Sequence, residues 1–232
     1  MHIFYTPEIA QKHELSEEES NHAVKVLRLS EGDEILLIDG KGKFYYATIT
    51  RAHHKRCAFE VNRIEDEKSV IPSFIHIAVA PTKNIDRIEW FAEKTTEIGV
   101  SAITMLKCRY SERKDVKEER LNKILISASK QSLKATVPTL EGMTDFKEFV
   151  KRPFDGQKFI AHCCKDEAKK EFKNLYQKGQ NVLVLIGPEG DFSNEEIEMA
   201  LQNGFIPVSF GDSRLRTETA ALVACHTIHV LN

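Results

Sequence analysis

From Phe74 to the last residue, short apolar runs alternate with segments of helical period, and this alternation limits the fold more than any other feature of the 232-residue chain. FIHIAVAPT, AITMLKC, KFIAHC, NVLVLIG and PVSFG are strand-length runs, apolar almost throughout. A strand apolar on both faces belongs in a sheet covered on both faces, the situation of a parallel sheet flanked by helices. The expectation is therefore an α/β domain with a largely parallel sheet. Between the runs, a helix over 84–98 places Ile88, Phe91, Ala92, Thr95 and Ile98 on one stripe and stops at Gly99. A second helix, over 115–135, carries Leu121, Ile124, Leu125 and Ala128 and is closed by Pro138. The last, TAALVACHTIHVL, is apolar nearly all round, which suits burial inside the domain or against another subunit.

Before residue 70 the pattern differs. EILLID, FYYATITRA and CAFEVNRIE, within 34–65, read as three strands, the first two separated by the turn-forming GKGK at 40–43. A helix precedes them, beginning at Ser16 with Glu19 as its capping partner and carrying His22, Val24, Val26 and Leu27. The segment EDEKSVIP, 65–72, reads as a linker, so the expected domains are 1–70 and 71–232.

A hydrophobic content of 41% supports real cores, and no apolar run approaches membrane-spanning length. The opening MHIFYTPEIA lacks the features of a secretion signal, and the five cysteines, at 57, 108, 163, 164 and 225, include no CxxC pair. A soluble, cytoplasmic protein with reduced thiols is expected. Cys225, His226 and His229 lie close on one helix, but the segment is otherwise apolar, so packing is preferred to a metal site and no metal is expected. With a formal net charge of −2, a nucleic-acid partner must be met by local basic patches. The candidates are His53, His54, Lys55 and Arg56; Arg109, Arg113 and Lys114; and Lys130 with Lys134, each of which also reads as an ordinary solvated face.

Two stretches carry chemistry. LIGPEGDFSNEE, 185–196, follows an apolar strand, and Ser193 with Glu196 forms a capping box that starts a helix ending before Gly204. The loop has only Gly187 and Gly190, and neither the Walker nor the dinucleotide glycine pattern fits. Glu189 and Asp191 would repel a polyphosphate at a helix N-terminus. A ligand without phosphate, cationic in part, fits better; the alternative is a plain tight turn. In GDSRLRTETAAL, 211–222, Arg214 and Arg216 flank Leu215, and Thr217 or Thr219 is placed to cap the final helix. Such a turn, outside the carboxyl end of a buried strand, is where open α/β sheets place ligands. A surface Arg–Glu pair is the competing reading.

Together with WFAEKTTEIGV (90–100), KQSLKATVP (130–138) and HAVKVLRLSEGDEILLIDGKGKFYYATI (22–49), these two stretches make nearly the whole chain resemble the ribosomal RNA small-subunit methyltransferase E family. The resemblance implies an α/β protein with a C-terminal SPOUT methyltransferase domain carrying a deep trefoil knot and an N-terminal PUA-like β-barrel, acting as a homodimer on small-subunit rRNA without a membrane. It implies S-adenosyl-L-methionine as cofactor and N3 of one uridine as acceptor. By position it assigns Leu185, Ile186, Gly187, Glu189, Gly190, Gly211, Ser213, Leu215 and Arg216 to the cofactor pocket, completed by Ala80, Pro81, Thr82 and Thr219. Arg214 is the expected catalytic cation; Glu218 is either the base for N3 or the group that holds Arg214 or Arg216. Arg28, Lys41, Lys43, Arg109, Arg113, Lys130 and Lys134 are the expected phosphate contacts. Asp191 stands where a third glycine is common in the family, and Leu133-Lys134 where Gly-Arg is frequent. A non-catalytic rRNA-binding or assembly factor, and a SPOUT enzyme acting on another RNA, are the competing expectations.

Overall fold

The structure is a computed structural model that describes residues 1–68, 73–163 and 169–232. The chain divides into two compact units, one of Met1–Ser69 with Ile126–Val137, the other of Val70–Leu125 with Pro138–Asn232.

In the first unit, β1 (His2–Tyr5) precedes a short helix α1 (Glu17–Asn21) that runs on as one π turn over His22–Val26. The three expected strands follow as β2 (Glu34–Ile38), β3 (Lys43–Arg51) and β4 (Ala58–Asp66). The sheet order is β1-β2-β3-β4, with β1 parallel to β2 and the other pairs antiparallel. Strand β1 was not expected, since four residues are too few to display a period. Glu65 and Asp66 are strand rather than linker, and residues 69–72 of that expected linker lie outside the described residues. Phe4, Leu15, Ile35, Leu37, Ile49 and Phe59 form the core of the unit.

Ser16 caps α1 by accepting from the Glu19 N–H, but Glu19 does not complete the expected capping box. Its Oε1 instead accepts from the Tyr5 N–H at 3.1 Å and from Lys130 Nζ at 2.7 Å. Lys130 comes from the segment 126–137, which joins this unit from far along the chain. There, Thr136 bridges to Gly40 and Lys41 and donates its N–H to Glu67 Oε2 at 2.8 Å.

The second unit runs β5 (Ile75–Val79), α2 (Ile85–Ile98), β6 (Ala102–Lys107), α3 (Glu118–Gln131), β7 (Thr139–Asp145), α4 (Phe146–Phe149), β8 (Gln157–Ala161), β9 (Lys170–Glu171), β10 (Val182–Ile186), α5 (Asn194–Gln202), β11 (Ile206–Ser209) and α6 (Thr217–Leu231). The seven-stranded sheet has the order β7-β6-β5-β10-β8-β11-β9, and every pairing in it is parallel. The expected apolar runs supply β5, β6, β8, β10 and β11. The two edge strands, β7 and β9, were not expected, because TLEGMTD is half-buried and mixed in polarity and β9 has two residues. Helix α3 is shorter than the expected 115–135.

On α2, Ile88, Phe91, Ala92 and Thr95 are buried as expected, while Ile98 is only half-buried and Thr96 joins the inner face. The hydroxyls of Thr95 and Thr96 are satisfied by the carbonyls of Phe91 and Ala92. Helix α6 packs against α2, β5 and β10, burying Ala221, Ala224, Cys225 and Ile228. Its other face is half-buried at Leu222 and Val223 and exposed at Val230. Burial pushes the Cys225 thiol up to about 12, as befits a packed side chain. Among the described residues no group of three His, Cys, Asp or Glu side chains is placed to hold a metal, and no helix is long and apolar enough to cross a membrane.

Candidate active site

Strands β10, β8 and β11 are neighbours, so the loops leaving their carboxyl ends converge on one edge of the sheet. The loop after β10 carries Gly187 to Phe192, that after β8 carries His162 and Cys163, and that after β11 carries Phe210 to Arg216. Two adjoining hollows open there, of about 240 and about 300 Å³. Both are bounded by Ala161, Cys163, Arg214, Leu215 and Ala220, so they form two compartments of one cleft. Their combined size is that of a pocket for a small organic ligand. A larger hollow, about 600 Å³ between Lys107 and Met199, shares none of these residues.

Hydrogen bonds between loops hold the cleft. Thr217 Oγ1 donates to the Gly187 carbonyl at 3.0 Å, tying the start of α6 to the β10 loop. Asp191 Oδ2 accepts from the Cys163 N–H at 2.7 Å and Oδ1 from the Phe192 N–H at 2.9 Å, tying the β10 loop to the β8 loop. Asp191 sits at φ 66°, a left-handed conformation that Asp tolerates better than most residues, which accounts for an aspartate where a glycine is common. Glu189 Oε1 accepts from the Lys83 N–H at 3.0 Å, joining the loop after β5. The capping box of α5 is complete: Ser193 and Glu196 each bond the other's backbone, and the second Glu196 oxygen accepts from the Arg109 N–H at 2.8 Å.

Of the expected cofactor residues, Ile186, Gly187, Glu189, Leu215 and Arg216 line the first compartment, and Gly211, Ser213 and Leu215 the second. Arg214 lines both and is exposed. Leu185, Ala80 and Thr82 are buried behind the cleft, with the Ala80 N–H donating to Ile186 O at 3.0 Å. Pro81, Gly190 and Thr219 also stand back from the lining. The two loop glycines have reasons inside the protein. A Cβ on Gly187 would lie 3.1 Å from the Phe192 ring, and one on Gly190 would lie 3.0 Å from Tyr110 Cβ. Sequence reasoning missed Ala161, His162, Cys163 and Lys169, although their position at the end of an expected parallel strand was a usable signal. Cys164, of the same expected run of cysteines, lies outside the described residues.

Neither Thr217 nor Thr219 caps α6; Arg216 occupies the N-cap position without a side-chain cap bond, because the Thr217 hydroxyl is engaged by Gly187. Glu218 is buried, at 7% exposure, and its ion pair is with Arg87 of α2, at 3.8 Å from Nε to Oε1, rather than with Arg214 or Arg216. Its Oε2 is buried without a hydrogen-bond partner among the described residues. Several expected phosphate contacts are occupied within the fold: Lys43 pairs with Asp66 at 2.6 Å, Lys130 with Glu19, and Arg109 with Glu195 at 2.7 Å. Arg113 donates to the carbonyls of Thr82 and Lys83. Arg28 is exposed at a left-handed φ of 58°, Lys41 donates its backbone N–H to Asp39, and Lys134 is half-buried.

Residues 70–229 match the family model described as an RNA methyltransferase domain, and residues 15–62 match an RNA methyltransferase PUA domain. The chain belongs to the RNA methyltransferase family that includes ribosomal RNA small subunit methyltransferase E. A probable rRNA-methyltransferase of Porphyromonas gingivalis superposes on this family member with a TM-score of 0.94, at 43% identity over 100% of this chain and 98% of the other. Ribosomal RNA small subunit methyltransferase E of Neisseria gonorrhoeae, solved bound to S-adenosyl methionine, superposes with a TM-score of 0.88 at 28% identity, over 100% of this chain and 98% of the other. The enzyme of that name from Bacillus subtilis is 27% identical over 91% of this chain and 87% of its own length.

Proposed function

We propose that this methyltransferase uses S-adenosylmethionine to methylate N3 of one uridine in small-subunit rRNA. The observation that carries the reading is the cleft itself, built by the loops after β10 and β11 at the carboxyl edge of a parallel sheet, in a chain whose full-length relatives bear the name of that enzyme. The lining fits the cofactor. Ile186, Leu215 and Ala161 offer apolar surface, and Glu189 and Asp191 put carboxylates beside a ligand with cationic groups and no phosphate.

When bound, the cofactor supplies a methyl group already activated by the sulfonium. What this chain must add is placement and charge. Leu215 and the 186–189 backbone would hold the ligand in line. Uracil loses the N3 proton as the new bond forms, and the negative charge spreads to its two carbonyl oxygens. Arg214, exposed at the cleft, is placed to stabilise that charge. Glu218 stays the candidate for taking the proton because one of its buried oxygens has no hydrogen-bond partner among the described residues. N3 lies on the pairing edge, so the uridine must be unpaired or flipped out. Arg28 and Lys41 of the first unit are our choice of phosphate contacts, since neither is used in an ion pair among the described residues.

The finer architecture belongs to the same reading. The β1–β4 sheet, extended by bridges from Glu14 to Ala58 and from Thr136 to Gly40, supports a PUA-like barrel for residues 1–70. The return of α6 onto α2 and β5 supports a knotted SPOUT domain for 71–232. The exposed Val230 and half-buried Leu222 and Val223 on α6 support a homodimer, working in the cytoplasm where ribosomal subunits are. The test is methyl transfer from labelled S-adenosylmethionine to purified small subunits lacking the modification, with the product mapped by mass spectrometry. Label at N3 of one uridine is the expected result. Cofactor binding without label on subunits or naked rRNA would overturn it in favour of a binding factor; label on tRNA instead would name another substrate.

A further inference from the structure

The segment between β6 and α3 has no regular structure, yet one side chain on it is held by two bonds to a distant loop. Arg113 Nε donates to the Thr82 carbonyl at 3.1 Å and Nη2 to the Lys83 carbonyl at 2.7 Å. The backbone N–H of the same Lys83 donates to Glu189 Oε1 at 3.0 Å, and Glu189 lines the cofactor cleft. On the other side of this loop, Thr82 Oγ1 donates to the Asn84 carbonyl at 2.6 Å, and Asn84 caps α2 through the Asp86 N–H at 3.1 Å. The loop 82–84 is thus fixed from three directions, with its carbonyls on Arg113 and one N–H on the cleft carboxylate.

We infer that Arg113 is a positioning residue for the cofactor cleft: its guanidinium fork fixes the Thr82–Lys83 carbonyls so that the Lys83 N–H presents Glu189 to the ligand. The physical case rests on what the fork is already doing. Arg presents several N–H donors in a rigid plane, and two of them are spent on carbonyls of consecutive residues, a geometry a single ammonium does not reproduce. Lys83 is tied elsewhere as well, by Nζ to Glu112 Oε2 at 2.9 Å, so the chain segment 112–113 and the loop 82–83 clasp each other through both a side chain and the backbone. A guanidinium so committed is a poor phosphate contact, because gripping RNA would first cost the bonds that hold the loop. The inference rests on the cofactor reading of the cleft given above.

Three measurements on the full chain separate the roles. By isothermal titration with S-adenosylmethionine alone and no RNA, Arg113→Ala is expected to weaken binding about tenfold and Arg113→Lys nearly as much. Arg120→Ala, which removes an exposed cation paired with Glu89, is expected to leave it unchanged. In turnover, the loss falls on KM for the cofactor, with kcat at saturating cofactor largely retained, and the salt dependence of RNA binding keeps its slope. In the double variant with Glu189→Ala, the two losses are expected to be less than additive, since both act through Lys83. Cofactor affinity unchanged in Arg113→Ala, with RNA binding weakened and its salt slope reduced by about one, would overturn the inference and return Arg113 to the phosphate contacts. A wild-type chain that binds no S-adenosylmethionine would overturn the cofactor reading itself, and this inference with it. Thermal melting of each variant keeps a global loss of fold from passing as a local one.

Discussion

Thr217 Oγ1 lies 3.0 Å from the carbonyl oxygen of Gly187, and this bond joins the two loops that form the candidate cleft. The threonine is buried, so its removal leaves a carbonyl without its partner away from water. Thr217→Val, which keeps the shape and deletes the hydroxyl, is expected to cost about 1–2 kcal/mol of stability and several-fold in S-adenosylmethionine affinity. Thr217→Ser should restore most of both. Melting and calorimetric titration of the pair check this; a valine variant with wild-type affinity would show that the bond does not set the cleft.

The chain also carries a local strain that a substitution can relieve. Helix α3 ends in a Schellman arrangement, with Lys134 N–H on Ser129 O at 2.9 Å and Leu133 N–H on Lys130 O at 3.3 Å. Leu133 therefore stands at the position that favours glycine, at φ 54° and 65% exposed, so its side chain gains little from packing. Leu133→Gly is expected to stabilise the protein by about 1 kcal/mol, read as a higher denaturant midpoint at unchanged m-value. A lower midpoint would mean that the exposed leucine contributes contacts this geometry does not account for.

These two cases show what the sequence could and could not reveal. The five central strands were legible because burial on both faces makes a strand apolar throughout, as in VLVLI of β10. The edge strands β7 and β9 are wet on part of their surface and lose that signature. The cleft loops were legible as loops with turn chemistry and a capping box, and six of the expected positions do line the first compartment. The long-range bonds were not: nothing local says that Thr217 spends its hydroxyl on Gly187 instead of capping α6, that Glu218 pairs with Arg87, or that the 126–137 segment joins the first unit. Such partners are set by tertiary packing, and local pattern carries no record of them.

A partly buried relay away from the cleft, from half-buried His76 out to exposed Arg152, predicts a pH dependence of stability. His76 Nε2 lies 2.8 Å from Thr104 Oγ1, which donates to Glu141 Oε2 at 3.1 Å, which in turn pairs with Arg152 at 2.9 Å. Because the threonine proton is spent on the carboxylate, the His76 ring is the donor and is neutral with its proton on Nε2. Burial holds its pKa down at about 4. Above pH 6.5 neither folded nor unfolded chain binds a proton there. Between 6.5 and about 4 the unfolded chain takes one up and the folded chain does not, so stability falls as pH falls, by about 3 kcal/mol across the window. Urea midpoints measured from pH 7 to pH 4.5 for wild type and His76→Asn should diverge, with the steeper fall in wild type. Parallel curves would assign the acid sensitivity to other groups.

Arg214 gives the sharpest test of the chemistry. It lines both compartments of the cleft, it is exposed, and no ion pair or side-chain hydrogen bond within the described residues engages its guanidinium. A cation held in reserve contributes little to folding, so Arg214→Ala is expected to melt within a degree or two of wild type. If its work is to meet the charge that develops on the uracil oxygens, that interaction exists in the transition state and not in the binary cofactor complex. The variant should then bind S-adenosylmethionine with near wild-type affinity and lose kcat by about 10²–10³, the range found when one donor to a developing oxyanion is removed. Arg214→Lys keeps the charge but not the fork and should recover part of the rate. Calorimetry and single-turnover methyl transfer, run on the same preparations, separate the two terms. Loss of cofactor affinity with kcat retained would make Arg214 a wall of the cofactor pocket and leave the stabilisation of the uracil anion to another group.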